Sequence, residues 1–121
     1  YINGSFSNVG IRGATSRASD VVIVGAGMAN ASYGSVPYGI WTGGNVQDVT
    51  IANLTIRDFY FHDIIFNAGT ERPFVHNVHL IDSGQQFLKS NPDSAGGGVD
   101  GGRVQYSTFE FTTRARDDYP K

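Results

Sequence analysis

Val49-Thr50-Ile51-Ala52-Asn53-Leu54-Thr55-Ile56-Arg57-Asp58 is followed 24 residues later by Pro73-Phe74-Val75-His76-Asn77-Val78-His79-Leu80-Ile81-Asp82. Both stretches carry Asn at the fifth place and Asp at the tenth. Ile51, Leu54 and Ile56 meet Val75, Val78 and Leu80 in the same frame. Further along, Ile64 meets Leu88 and Asn67 meets Asn91. Seven of the 22 pairs between residues 46–67 and 70–91 are thus identical or keep their apolar character. Self-similarity at such a period marks stacked supersecondary units.

Within one copy, Val49 and Ile51 alternate around polar Thr50, which is the period of a strand. Leu54 and Ile56 alternate on the opposite parity, so the chain must turn between the pairs, at Asn53. Asparagine tolerates the left-handed backbone of a tight corner. A copy at Asn77 stacked on it allows a ladder of side-chain amides.

The frame extends both ways. Asp20-Val21-Val22-Ile23-Val24-Gly25 matches Asp48-Val49-Thr50-Ile51-Ala52-Asn53 at a spacing of 28. Val104-Gln105-Tyr106-Ser107-Thr108-Phe109 matches Val75-His76-Asn77-Val78-His79-Leu80 at a spacing of 29, with Tyr106 in the corner place. The extra residues fall in loops, 32–37 and 94–102. A third strand per copy is expected at 38–42, 62–66 and 86–90. There Ile40, Ile64 and Leu88 are expected to face inward and Trp41, Ile65 and Lys89 outward. Lys89 sets this parity, since an unpaired lysine is almost never buried. Strict alternation then also turns Gly39, Asp63 and Phe87 outward. The reading is one all-β unit over 1–121, a right-handed single-stranded parallel β-helix (solenoid) of about four coils, part of a longer solenoid.

With Ser19-Asp20-Val21-Val22-Ile23-Val24-Gly25-Ala26-Gly27, Tyr38-Gly39-Ile40-Trp41, residues 45–58 and Gly84-Gln85-Gln86-Phe87-Leu88-Lys89-Ser90-Asn91, the chain resembles the pectate-lyase-like parallel β-helix superfamily and bacterial β-helix repeat proteins. The resemblance spans roughly residues 9–112. It implies a secreted protein, extracellular or periplasmic, that binds or degrades polysaccharide along the outward face of the third strand. Trp41 and Phe87 would cover sugar rings there, and Arg103 would meet a carboxylate. For a lyase, Lys89 is the expected base or charge stabiliser and Arg57 a further carboxylate partner. For a hydrolase, a carboxylate pair is needed, and Asp63 with Asp82 are the nearest candidates. The competing expectation is a non-catalytic segment of a filament, stalk or adhesin, associating end to end through its open edges.

Composition narrows the rest. The formal net charge is -2, with no Lys/Arg run to meet phosphates, which argues against nucleic acid. No apolar run is long enough to cross a membrane as a helix. With no cysteine there is no disulfide scaffold and no thiol nucleophile. Val21-Val22-Ile23-Val24-Gly25-Ala26-Gly27-Met28-Ala29-Asn30 imitates a dinucleotide-binding turn, but Asn30 replaces the third glycine and no helix-forming run follows. Calcium is the only cofactor to weigh, at Asp93 and Asp100, and their spacing is not that of a calcium loop. His62, His76 and His79 lack metal-site spacing, so no metal is assigned. Three glycosylation sequons begin at Asn3, Asn30 and Asn53, and a corner role explains Asn53 better.

Overall fold

The computed structural model of the chain describes residues 1–113. It contains ten strands: β1 (Ile2–Asn3), β2 (Gly10–Arg12), β3 (Val22–Val24), β4 (Tyr38–Gly43), β5 (Thr50–Arg57), β6 (His62–Phe66), β7 (Phe74–Ile81), β8 (Gln86–Ser90), β9 (Arg103–Gln105) and β10 (Thr108–Glu110). They gather into two parallel sheets. One has four strands in the order β1-β4-β6-β8. The other has six, running β10-β7-β5-β2, with β3 on β5 and β9 on β7.

This corrects the expectation of a single-stranded right-handed β-helix solenoid built from three-strand coils. The corner expected at Asn53 does not separate two strands. Asn53 and Asn77 take left-handed φ values of 57° and 49°, yet β5 and β7 run through them as continuous eight-residue strands of one sheet. A third line of contact is a row of single-residue bridges, Ser7 to Gln47 to Glu71 to Asp100, and not a sheet. The polysaccharide and secretion expectations came with the solenoid and lose that support with it.

The 24-residue frame is the register of both sheets. Ile51 lies opposite Val75, Leu54 opposite Val78 and Ile56 opposite Leu80 in one; Ile64 lies opposite Leu88 in the other. The spacing of 29 holds too, with Val104 on Val75 and Phe109 on Leu80. The spacing of 28 does not. Val22 pairs with Thr55 and Ile23 with Ile56, on the second half of β5, while Ile11 of β2 takes the place beside Ile51. Glycine decides which chain lies beneath Asn53. A Cβ at Gly13 would stand 1.8 Å from the Asn53 carbonyl oxygen, so only glycine passes there.

Both sheets contribute to one apolar cluster. Ile51, Leu54, Ile56, Val75, Val78 and Leu80 come from the six-stranded sheet, and Ile40, Ile64 and Phe66 from the four-stranded one. Each turn of the frame thereby shelters its aliphatic side chains with those of the next. Amide ladders mark the strand bends. The Asn77 side-chain amide donates to Asn53 Oδ1 at 2.9 Å, and that of Asn91 donates to Asn67 Oδ1 at 2.9 Å.

Candidate functional site

Two side chains of the expected site share one column on the outer face of the four-stranded sheet, with Ile65 between them. Trp41, Ile65 and Lys89 are consecutive partners across β4, β6 and β8. Their neighbours Ile40, Ile64 and Phe66 belong to the core, so this column faces out by alternation.

The second expected column does not. The ladder has no pairing at Gly39, Asp63 and Phe87. Asp63 is 0% exposed, Phe87 packs against the core cluster, and a Cβ at Gly39 would meet Ile56 and Phe59. In each strand two consecutive residues turn inward, a local break of the kind that bulges and bends produce. Beyond the break the parity is reversed: Tyr38 and Gln86 come to the outer face, and His62 between them is covered, only 5% exposed.

This reversal builds an aromatic surface. The Tyr38 ring stacks on His62 at 5.7 Å and on Phe61 at 5.8 Å, with interplanar angles of 21° and 28°. Tyr33, on the loop before β4, meets Tyr60 and Phe61 edge-on, each at 5.1 Å. The Tyr60 hydroxyl donates to Asn30 Oδ1 at 2.9 Å, which ties the loop down. At the other side Tyr1 leans on Trp41 at 5.4 Å. Burial raises the Tyr38 phenol above its ordinary value, and the Tyr33 and Tyr1 phenols act in the same sense. Gln86 donates its backbone N–H to His62 Nδ1 at 3.4 Å. Burial holds that imidazole below its ordinary value, and the Lys89 ammonium pushes the same way. His62 is therefore neutral at pH 7, and Lys89 is the cation that borders it.

The other expected site residues lie elsewhere. Arg57 is in the six-stranded sheet with Nε 2.7 Å from Asp58 Oδ2. Arg103 is on β9, its guanidinium 4.8 Å from the Phe74 ring, beside an open cleft of about 270 Å³ also lined by Phe66, Leu88 and Val99. Phe87 contacts Phe111 at 4.5 Å and Phe109 at 5.8 Å. Asp82 is fully buried and accepts the Thr112 N–H and hydroxyl at 2.7 and 2.6 Å. Of the seven expected residues, only Trp41 and Lys89 share the outer face. The run Tyr60-Phe61-His62, together with Tyr33 and Tyr38 around the loop, was the sequence signal for the remainder.

No family model, curated protein or solved structure matches the chain. Nothing in these comparisons identifies the superfamily that the repeat resembles. Among the described residues no group of three or more His, Asp or Glu is arranged to hold a metal ion. In the 91–102 loop, Asp93 Oδ1 is engaged by the backbone N–H groups of Ala95 and Gly97. No helix among the described residues is long and apolar enough to cross a membrane.

Proposed function

We propose that the outer face of the four-stranded sheet binds carbohydrate chains, and that this face holds them without cleaving them. The reading is carried by one observation, the aromatic side chains gathered at this face: Tyr1 leaning on Trp41, and Tyr38 stacked on Phe61, which Tyr33 meets edge-on. Aromatic faces cover the apolar faces of sugar rings, while phenols and an ammonium reach hydroxyls at the rim. Three adjacent strands spread this surface over roughly 10 Å, enough for neighbouring sugar units along a chain.

The polar groups support binding over hydrolysis. Hydrolysis asks for two carboxylates flanking one bond. Asp63 is enclosed, Asp58 is engaged by Arg57, and Asp82 holds Thr112. The test is a glycan array followed by calorimetry on the oligosaccharides that bind. Dissociation constants from about 10 μM to 1 mM are expected. Tyr38→Ala and Trp41→Ala should each weaken binding about fivefold, as loss of one ring contact does. An array with no bound glycan, or variants that bind as tightly as the parent, would refute the assignment.

A further inference from the structure

Asp63 is 0% exposed, and neither of its carboxyl oxygens has a hydrogen-bond partner among the described residues. A buried polar group without a partner is rare and costly, and a buried unpaired charge far more so. Its surroundings increase that cost. Asp58, at the end of β5, and Asp82, just after β7, are both buried and both act electrostatically on Asp63. They are fixed at these places by left-handed φ values of 64° and 55°.

Each neighbour has compensation that Asp63 lacks. Arg57 of β5 engages Asp58, and Thr112 satisfies Asp82. Arg57 is thus committed to another carboxylate. Strand β4 presents only Gly39 at the level of Asp63, while Tyr38 belongs to the outer face. From β8, Phe87 is apolar, and Lys89 lies on the outer column beside His62. His62 itself precedes the break, stacks on Tyr38 and accepts the Gln86 N–H.

We propose that Asp63 is a proton-dependent lock on the joint between the two sheets: the joint closes over the protonated carboxyl and opens when that proton leaves. The carboxyl is neutral in the closed form. Deprotonation places a third negative charge between Asp58 and Asp82, in a site with no donor to receive it. Burial first, and then the charges of Asp58 and Asp82, push the Asp63 carboxyl up to about 9. The joint includes Phe59, 2% exposed, and the turn that leads into β6. Opening there frees the turn while the paired interior of both sheets persists.

The wild-type chain and Asp63→Asn, which has the same shape but cannot ionise, can be followed from pH 6 to pH 10 by near-ultraviolet circular dichroism and dye binding. Wild type should lose aromatic ellipticity and gain about threefold in hydrophobic-dye fluorescence around pH 9, with far-ultraviolet signal retained. Asp63→Asn should show no such loss and no gain in dye fluorescence up to about pH 9.5, above which tyrosine ionisation alters the aromatic signal of both proteins alike. The same transition in both proteins would overturn the proposal. A measurement on unmodified protein keeps the test decisive if the variant does not fold: the assigned Asp63 carboxyl carbon resonance should titrate near pH 9, and titration in the ordinary carboxylate range would sink the idea.

Discussion

Tyr106 is the residue where the Asn53–Asn77 column loses its asparagine, and replacing it should stabilise the protein. Its φ is 51°, a left-handed conformation that an aromatic side chain rarely adopts, and it is 82% exposed. The backbone penalty is about 1–2 kcal/mol for an ordinary residue, and asparagine avoids most of it. The ring returns a part through its edge contact with His76 at 5.4 Å, about 0.5 kcal/mol at so exposed a place. Asn77 already donates its amide to both Asn53 Oδ1 and the Ser16 carbonyl, which leaves Asn77 Oδ1 to accept from a side chain above it. Tyr106→Asn should therefore gain about 1 kcal/mol, or roughly 4 °C in melting temperature. Urea unfolding followed by circular dichroism measures it, and Tyr106→Ala is the control. That variant keeps the Cβ, and with it the backbone penalty, but loses the ring, so it should fall slightly below wild type. A lower midpoint for Tyr106→Asn, or equal midpoints for the two variants, would show that strain at this corner is not what limits the outermost layer.

Three further outcomes are expected. Ile64→Ala should cost about 3 kcal/mol in urea unfolding, because Ile64 is 0% exposed between Ile40 and Leu88 and leaves a cavity that two flanking strands hold open. Asn77→Ala should cost about 2 kcal/mol by the same assay and Asn77→Gly about half as much, since both lose the amide ladder but only alanine is strained at a φ of 49°. Asp63 should impose a pH dependence of definite sign. Its carboxyl is raised from 3.8 to about 9 on folding, so its contribution is fully present below about pH 4 and is lost as pH rises toward 9. Between pH 5 and pH 8 the stability of Asp63→Asn relative to wild type should therefore rise by about 4 kcal/mol, and parallel pH curves for the two proteins would contradict it.

Reading the sequence recovered the register but not the architecture, and the difference has a physical cause. Register depends on like residues sheltering like, so Ile51 with Val75 and Ile64 with Leu88 are visible in any comparison of the chain with itself. The number of sheets depends on how sharply the chain bends at each left-handed residue. Asn53 and Asn77 bend within a strand, whereas elsewhere the chain passes between the sheets through segments that pair with one another only by single bridges. Residue type does not separate these outcomes, because asparagine suits both. The misplacement of β3 follows from the same limit. Asp20-Val21-Val22-Ile23-Val24-Gly25 fits either half of β5 by composition, and the close passage of Gly13 under Asn53 settles which half it takes.

The expected site failed at a smaller scale, and the failure explains what formed in its place. The parity set by Lys89 places Trp41 and Ile65 on the side away from the core cluster, though Ile65 is covered there at 4% exposure, and alternation was then carried two residues too far. Asp63, Gly39 and Phe87 differ so much in polarity that no hydrophobic pattern marks a break between them and their neighbours. Had the strands alternated without interruption, Asp63 would lie among solvated groups, and Tyr38 and His62 would point into the core. The break reverses both. One irregularity, repeated at the same height in β4, β6 and β8, encloses a carboxyl between the sheets and turns an aromatic column outward beside Trp41. The buried acid and the ring surface are thus two consequences of one backbone feature, and a substitution that restored regular pairing at Gly39–Asp63 should abolish both together.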